Sequence, residues 1–532
     1  MRFDLAAEPW IEGIDHDGRP LTLSLRQAFE NASDVVSLTG PETVVAGITR
    51  LLVAILRDAL PSTAISEDQW RQWWHNGLPA ISDYFDTYAD TFDLFGDRPF
   101  FQDATMDGDN TGIKSASELT PPVPSGNNPV LWDHHTDLTG SKPLTLTPGT
   151  AAGWLVSTQA FLRTGVFGSK DSAGNGRASG RQGLLLARAV CIPVGPTLAH
   201  TLLLSLPRGE RPVGDVPPWR RDRAVIAGPP AGPVSLLTWQ IRHILLLPEP
   251  DGTVKRLKIA ADPAIDPRVD VGPQQAHDPH LAFTPNPKWN PDAPEIDPRN
   301  PTKLNRQFFT APYRPDMATW RQAPALLGAR SSARAVRDLA TLPLDGVPVR
   351  VEVIGLAVES TAKYVAVGRS RLPGVLGEHA VQVLADLAEA SDLAAQALAR
   401  GGVALHKGLK LLPERPDPAA TARTGQIFTA GFWPQLELPA SDLMELLQAA
   451  PDDDAREALA EGWRERLKAT ARRTYIAQSS RYPIGTAAMQ ARSTGARYLG
   501  AGLKKIDPGA AEADDDDDDS EDAPADMETA TA

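Results

Sequence analysis

The residues best suited to bind an anion lie in a glycine-rich stretch between two apolar segments. Residues 168–183 read GSKDSAGNGRASGRQG, and the candidate ligand contacts in them are Lys170, Gly174, Asn175, Gly176 and Arg177. Because glycine has no Cβ, such a loop can bring its backbone N–H groups close to a ligand, and the added positive charge favours a phosphate. The stretch contains no GxxxxGK[ST], and no GxGxxG lies at a strand-to-helix turn. A flexible surface loop therefore remains the alternative.

A second candidate for chemistry is the segment 132–137, WDHHTD, which contains the DHH sequence of metal-dependent phosphoesterases. Such a site needs several more aspartates at strand ends to hold two metal ions and activate water. Asp15 and Asp17 could supply some of them, but the turn formed by Asp17 and Gly18 explains both without a metal. A phosphoesterase or nuclease using WDHHTD stays as the alternative function. With no catalytic or cofactor motif elsewhere, we predict no catalysis, no bound metal and no cofactor.

Two groups of basic residues could contact nucleic-acid phosphates. On a helix predicted from about residue 453 to 480, one face carries Arg464, Lys468 and Arg472 at i, i+4 and i+8, beside a core-facing stripe. A solvated face is the alternative, because glutamates lie nearby. The second group precedes Phe308 and Phe309 and comprises Arg299, Lys303 and Arg306. Basic residues next to aromatic ones are typical of surfaces that bind single strands.

The elements that must position these residues predict an α+β fold with two domains. Residues 1–372 are expected to form a large mixed N-terminal domain with long loops. Its clearest elements are a hairpin around Asp17-Gly18, a helix from Glu42, a hairpin around residues 250–252 and a buried strand ending near Gly355. Residues 373–506 are rich in Ala and Leu. They predict an antiparallel bundle of about four helices, with loops at 413–422, 438–440 and 450–453.

The net charge of −14 is concentrated at the C-terminus. Residues 507–532 contain twelve acidic and no basic residues, so residues 1–506 carry only −2. A tail this charged is predicted to be disordered, serving either as a solubilising segment or as a nucleic-acid mimic that screens a basic face. Cys191 is the single cysteine, which excludes an internal disulfide and fits a reducing cytoplasm. No apolar run is long enough to span a membrane, so we expect a cytoplasmic protein.

Several short motifs occur in the same order as in one known family. They are an opening PWI before a hairpin, RPFFQ at 98–102, the glycine-rich loop leading into TLLL at 201–204, and GFWPQ at 431–435. In this order, over nearly the whole chain up to about Lys505, they resemble the large subunit of the type I-E CRISPR Cascade complex, the CasA family.

The resemblance implies a subunit without nuclease activity that acts in antiviral defence. It would read the protospacer-adjacent motif (PAM) on double-stranded target DNA, largely from the minor groove, and help to part the strands. Its helical bundle would stabilise the opened DNA, the R-loop, and help to recruit a helicase-nuclease. The implied partners are the other Cascade subunits, the CRISPR guide RNA, the target DNA and that effector, with no membrane.

The resemblance also assigns roles by position. The family's glycine loop falls on residues 172–176, which would approach the PAM. A family loop near the 5′ end of the guide RNA carries an apolar or aromatic residue that aligns best with Leu131 or Trp132. Trp132 or His134 would then stack on the RNA or bond to it, which gives WDHHTD a non-catalytic explanation.

Two positions depart from the family pattern. Where relatives have a glutamine wedge that splits the first base pairs, this chain has the segment Glu359, Ser360 and Thr361, followed by Lys363. A lysine finger expected near 278–280 also lacks its lysine. His280 lies nearest to that position, and Lys288 is the nearest basic alternative.

Overall fold

A computed structural model of the chain describes most of its residues. The described residues are 1–106, 113–121, 144–163, 165–166, 179–180, 182–221, 230–261, 278–294, 296–297, 300–359, 363–374, 376–482 and 484–507. The chain divides into two compact units, one from Met1 to Val381 and one from Gln382 onward. Within the described residues, no helix is both long and apolar enough to cross a membrane.

Fourteen α-helices and fifteen strands form the described part of the chain. The helices are α1 (Leu25–Glu30), α2 (Glu42–Ala59), α3 (Glu67–Asn76), α4 (Ser82–Thr87), α5 (Pro148–Phe161), α6 (Leu198–Ser205), α7 (Pro233–Leu237), α8 (Thr319–Leu327), α9 (Arg334–Asp338), α10 (Glu378–Gly408), α11 (Pro418–Thr429), α12 (Glu437–Ala449), α13 (Asp453–Ser479) and α14 (Thr486–Lys504). The strands are β1 (Ile11–Asp15), β2 (Pro20–Leu23), β3 (Val35–Leu38), β4 (Ile113–Ser115), β5 (Gly165–Val166), β6 (Ser179–Gly180), β7 (Val190–Val194), β8 (Arg242–Pro248), β9 (Val254–Ala261), β10 (Phe283–Pro285), β11 (Ile296–Asp297), β12 (Asn300–Leu304), β13 (Phe308–Thr310), β14 (Arg350–Glu359) and β15 (Lys363–Pro373).

The strands of the first unit form small antiparallel sheets. Among the described residues, three sheets have three strands each, in the orders β2-β1-β3, β15-β14-β7 and β4-β9-β8. Three two-stranded ladders complete them: β5 with β6, β10 with β13, and β11 with β12. Both predicted hairpins are confirmed, as β1–β2 and β8–β9. The predicted buried strand is β14, but it continues four residues beyond Gly355 to Glu359.

Helix α2 lies inside the first unit rather than on its surface. Every residue from Thr43 to Asp58 is buried, including Arg50 and Arg57. A helix that is buried all round must supply partners for its polar groups, because an unpaired buried charge is costly. Arg57 donates to four backbone carbonyls, those of Pro61, Ser62, Thr63 and Gly209.

The RPFFQ motif at 98–102 has a structural role. The Gln102 side chain hydrogen-bonds to backbone groups on two segments. Its Oε1 accepts from the Leu246 N–H at 2.7 Å, and its Nε2 donates to the Leu94 carbonyl at 2.7 Å. Phe100 and Phe101 are buried against Trp219. The motif therefore completes the edge of β8 and seals the core beside it.

The second unit consists of helices, as predicted, and its described part has five, α10 to α14, where about four were expected. Phe428 of α11 stacks on Tyr475 of α13 with ring centroids 6.0 Å apart, and the Trp463 indole donates to Ser391 Oγ of α10 at 3.3 Å. The predicted loop at 438–440 is wrong, because these residues lie inside α12. The proline at position 439 falls in the first turn, where its missing N–H costs no helical hydrogen bond.

Candidate nucleic-acid interface

The glycine-rich segment emerges from a short ladder on the core of the first unit. Strands β5 and β6 pair with Gly165 opposite Gly180 and Val166 opposite Ser179. Just beyond the ladder, the Gly183 N–H donates to the Leu162 carbonyl at 2.7 Å. A Cβ at Gly183 would overlap the Ala160 backbone, so only glycine allows this approach. The two ends of the segment are thus held side by side.

The predicted ligand contacts of that segment, Lys170, Gly174, Asn175, Gly176 and Arg177, lie outside the described residues. Its base is part of a buried apolar cluster. Phe161, Leu184, Leu185 and Leu186 pack there with residues of β7 and β14. The residues that flank the segment therefore belong to the packed core of the first unit.

The β14–β15 hairpin meets the base of the glycine-rich segment. The backbone N–H of Arg163, two residues before β5, donates to the Tyr364 hydroxyl at 3.1 Å. Tyr364 follows Lys363 directly and is buried, and burial raises the pKa of its hydroxyl to about 12. The hydroxyl therefore stays protonated at neutral pH. The base of the glycine-rich segment and the β14–β15 hairpin are thus in contact through residues 201 positions apart in sequence.

The wedge region itself lies at the tip of this hairpin. Glu359 ends β14, is exposed, and pairs in register with Lys363, the first residue of β15. Ser360 and Thr361 lie outside the described residues. Below the tip, the buried carboxylate of Glu352 accepts from Arg369 at 2.9 Å and from Arg371 at 3.2 Å. These cross-strand ion pairs hold the two strands in one register.

His280 does not lie where DNA could reach it. Its side chain is fully buried against the ion pair between Arg50 of α2 and Asp278, whose Nη2 and Oδ2 atoms are 2.7 Å apart. Burial, and then the adjacent Arg50 charge, lower the pKa of His280 to about 3, so the ring is neutral. The prediction that His280 contacts DNA is therefore wrong: the residue belongs to the core. Lys288 is exposed.

The second predicted basic group lies on and beside the antiparallel ladders β10–β13 and β11–β12. Lys303 is on β12, Arg306 is half-buried, and Arg299 lies outside the described residues. The residues before β11 and after β12 are joined by Asn286, whose side chain donates to the Arg306 carbonyl at 2.7 Å. Phe309 and Trp289 expose 43% and 39% of their surface here. The sequence analysis did not name Trp289 as a candidate contact. Its position between the polar residues Lys288 and Asn290 could have indicated an exposed aromatic ring.

The predicted basic face of α13 is only partly exposed. Arg464 and Lys468 are buried, and both form ion pairs, with Glu461 and Glu465 respectively. The prediction that Arg464 and Lys468 contact DNA phosphates is wrong, because both side chains are buried and their charges are paired with glutamates. Arg472, two turns from Arg464, is exposed.

The segment WDHHTD lies outside the described residues, and so do the predicted RNA contacts Leu131, Trp132 and His134. In the part of the chain that is described, no group of three or more His, Cys, Asp or Glu side chains is arranged to hold a metal ion.

Comparison with known proteins assigns the family. Residues 4–474 match the family CRISPR-associated protein Cse1. The chain belongs to this family. The resemblance to the CasA family is thereby confirmed, and so is the mixed fold with its helical C-terminal region.

Individual relatives of this Cse1-family chain agree in fold. A curated CasA/Cse1 protein from Thermus thermophilus is 32% identical over 262 residues, 47% of this chain. The matched region spans 50% of that relative's length. The crystal structure of Cse1 from Acidimicrobium ferrooxidans superimposes with a TM-score of 0.75 at 26% identity, covering 95% of this chain and 98% of its own. A chain of a CRISPR RNA-guided surveillance complex gives a TM-score of 0.73 at 18% identity, covering 94% and 99%.

Proposed function

We propose that this chain is the non-catalytic large subunit of a type I-E CRISPR RNA-guided surveillance complex and reads the PAM on target DNA. The observation that carries the proposal is membership of the Cse1 family over residues 4–474. The fold shared with a chain of a CRISPR RNA-guided surveillance complex supports it. The proposed partners are the other subunits, the guide RNA, double-stranded DNA and a helicase-nuclease.

The glycine-rich segment is the proposed PAM reader. The minor groove is narrow and its hydrogen-bonding pattern is degenerate, so a glycine backbone that approaches closely suits a tolerant reader of a short motif. Asn175 can donate to or accept from base edges, while Lys170 and Arg177 hold phosphates. Protein then reads a few base pairs, and pairing with the guide reads the rest.

Strand opening is assigned to the tip of the β14–β15 hairpin. The Arg163–Tyr364 hydrogen bond supports this assignment, because it holds the tip next to the base of the proposed PAM reader. Without the family's glutamine, Thr361 and Lys363 are the side chains best placed in sequence to meet the first parted bases. Glu359 would repel phosphate, which favours an opening role over a backbone contact.

The remaining assignments concern RNA and the opened strands. Leu131, Trp132 and His134 are proposed to contact the 5′ end of the guide RNA, where aromatic rings stack on unpaired bases. Lys288, Arg299, Lys303 and Arg306 are proposed to hold DNA beside the exposed Phe309 ring, since stacking on aromatic residues tolerates any base. Among the three predicted residues of α13, the exposed Arg472 keeps this role.

The experiment that tests the function uses guide-loaded Cascade that lacks its large subunit. The protein is added, and binding is measured by gel shift on duplex targets with a randomised flanking trinucleotide. Tight binding confined to a few trinucleotides is expected. No added binding on any flank would overturn the proposal. Metal-dependent cleavage by the protein alone, lost in the His134→Ala, His135→Ala double variant, would establish the phosphoesterase instead.

A further inference from the structure

The first acidic residue of the C-terminal tail is bound to helix α13. Lys468 Nζ donates to Asp507 Oδ1 at 2.6 Å and to Glu465 Oε1 at 2.8 Å. The Lys468 side chain is only 11% exposed. This partly buried ion pair places the start of the segment 507–532 against the same helix whose later residues are strongly basic.

Charge is segregated along this part of the chain. From Arg466 to Ile506 the sequence contains nine basic and no acidic residues, and from Asp507 to its end it contains twelve acidic and no basic residues. Two adjacent blocks of opposite sign and similar size attract each other.

Most of the nine basic residues are exposed on two helices that pack together. The Tyr475 hydroxyl of α13 donates to the Arg492 carbonyl of α14 at 2.9 Å. We call the exposed set the basic surface; it comprises Arg466, Arg472, Arg473, Arg481, Arg497, Lys504 and Lys505. Lys504 ends α14 and Lys505 follows it, two residues before Asp507, so the surface continues to the point where the tail begins.

We propose that the acidic segment 507–532 binds the basic surface of its own molecule and competes there with nucleic-acid phosphates. The binding within the molecule stands on the Lys468–Asp507 pair and the charge pattern. The competition rests on the proposed function, in which these helices lie near opened DNA. The ligand class of the surface is thus a polyanion: the tail when DNA is absent, a DNA strand when it is present.

The lengths allow the contact. Asp514 to Asp519 begin seven residues after Asp507, and seven residues of extended chain span at most about 25 Å. Arg481 lies thirteen residues after Lys468, roughly 20 Å along a helix. The run of six aspartates can therefore reach any basic residue between Lys468 and Arg481.

The contact should be weak enough to be displaced. Exposed ion pairs contribute roughly 0.2–1 kcal/mol each and are screened by salt. Tethering raises the local concentration of the tail into the mM range, which compensates for that weakness. DNA held by additional contacts would displace the tail, whereas non-specific DNA would compete poorly.

A crosslinking experiment tests tail binding without DNA. A zero-length carbodiimide joins carboxylates to amines, so full-length Arg473→Lys is expected to give a crosslink between position 473 and Asp514 to Asp519. The matched control is Ala458→Lys, which is exposed on the same helix and within reach of the tail, but among acidic residues. Equal crosslinking at both positions, or none at 473, would overturn the proposal.

A binding experiment tests the competition. Affinity for a fluorescent single-stranded DNA of arbitrary sequence is compared between the wild type and a variant with all six residues Asp514 to Asp519 changed to Asn. The Asn variant should bind roughly tenfold more tightly at about 50 mM salt, with the difference vanishing as salt is raised. The same six positions changed to Glu keep the charge and should match the wild type.

Repeating the comparison in a variant with a weakened basic surface shows where the tail acts. In Arg472→Ala, Arg473→Ala protein, the gain from the six Asn changes should shrink to about twofold or less, because the competed surface is weakened. Equal DNA affinity of the wild type and the Asn variant at low salt would overturn the competition. Because these readouts need no PAM, their failure is separable from failure of PAM reading, and flank-dependent binding could persist either way.

Discussion

The hydroxyl oxygen of Tyr313 occupies the space beside Gly368 into which a Cβ would project. Gly368 pairs in register with Gly355 across the β14–β15 hairpin, and a Cβ on Gly355 would overlap the Tyr313 ring itself. The tyrosine thus lies against two paired glycines, and its backbone N–H donates to the Ala187 carbonyl at 3.0 Å. One aromatic side chain therefore packs on both strands of the hairpin that carries the proposed wedge.

This arrangement predicts a rescue that depends on a single oxygen atom. Gly368→Ala should destabilise the protein by about 1–3 kcal/mol through overpacking against the hydroxyl. Tyr313→Phe removes that oxygen and should restore most of the loss in the double variant. Gly355→Ala meets the ring carbons, so Tyr313→Phe should not rescue it. Urea unfolding of the wild type, the single variants and the double variants measures this; equal rescue at both glycines would contradict the geometry.

Tyr364 gives a prediction that links stability to DNA reading. Tyr364→Phe removes the hydroxyl that accepts from Arg163 at the base of the glycine-rich segment. We expect a loss of about 1–2 kcal/mol in unfolding free energy, because a buried N–H is left without its partner. We also expect severalfold weaker flank-dependent binding by the reconstituted complex. Unchanged binding would show that the two regions act independently.

The Arg50–Asp278 pair should be among the costliest polar interactions to break. Both side chains are buried, and Asp278→Ala leaves an uncompensated guanidinium in the core. The expected destabilisation is about 3–5 kcal/mol. Arg71→Ala breaks an exposed pair with Glu67 and should cost less than about 1 kcal/mol. Denaturant midpoints measured at neutral pH distinguish the two, and a small effect of Asp278→Ala would contradict the burial.

Asp103 gives a prediction for acid stability. Burial alone would raise the pKa of its carboxyl, but hydrogen bonds from His243, at 2.5 Å, and Thr105 lower it to about 2. A folded-state pKa below the unfolded value contributes stability above about pH 4, which is lost as pH falls towards 2. Asp103→Asn should therefore be less stable at neutral pH, by roughly 2 kcal/mol. The gap to the wild type should narrow between pH 4 and pH 2, as followed by circular dichroism. A constant gap would contradict this.

The glycine loop gives the most direct prediction for function. Gly174→Asp or Gly176→Asp should abolish target recognition by the reconstituted complex, because the side chain clashes with the groove and its charge repels phosphate. The melting temperature should not change, since the described core beneath the loop, which includes Phe161 and Leu184, is left intact. Gly377→Asp, at an exposed glycine with open space for a side chain, serves as the control for added charge. Retained motif-dependent binding would assign the reading to another segment.

Local patterns predicted the elements well where their cause is local. The helix predicted from Glu42 begins there as α2, and the turn at Asp17-Gly18 joins β1 to β2, as their residue types required. The end of β14 was missed because its last residues are held by pairing with β15, which short-range alternation does not report.

The site was harder to predict, because the charge of a side chain does not determine whether that side chain is exposed or buried. His280 was expected to contact DNA, but it lies in the core beside the Arg50–Asp278 ion pair and within hydrogen-bonding distance of Arg50. Arg464 and Lys468 follow the spacing of an exposed face, but they lie against the core and pair with glutamates. Helical periodicity gives the relative angles of side chains, whereas burial depends on which neighbours pack beside them.

By itself, the sequence determined the family, the order of an α+β region before helices, the glycine-rich segment and the separation of charge at the C-terminus, since composition, motif order and short-range periodicity are properties of the chain alone. The tertiary structure decided which of the candidate groups meet. It brought Arg163 to Tyr364, Tyr313 to two glycines and Asp507 to Lys468. These contacts join residues up to 201 positions apart, and only packing of the whole chain brings such residues together.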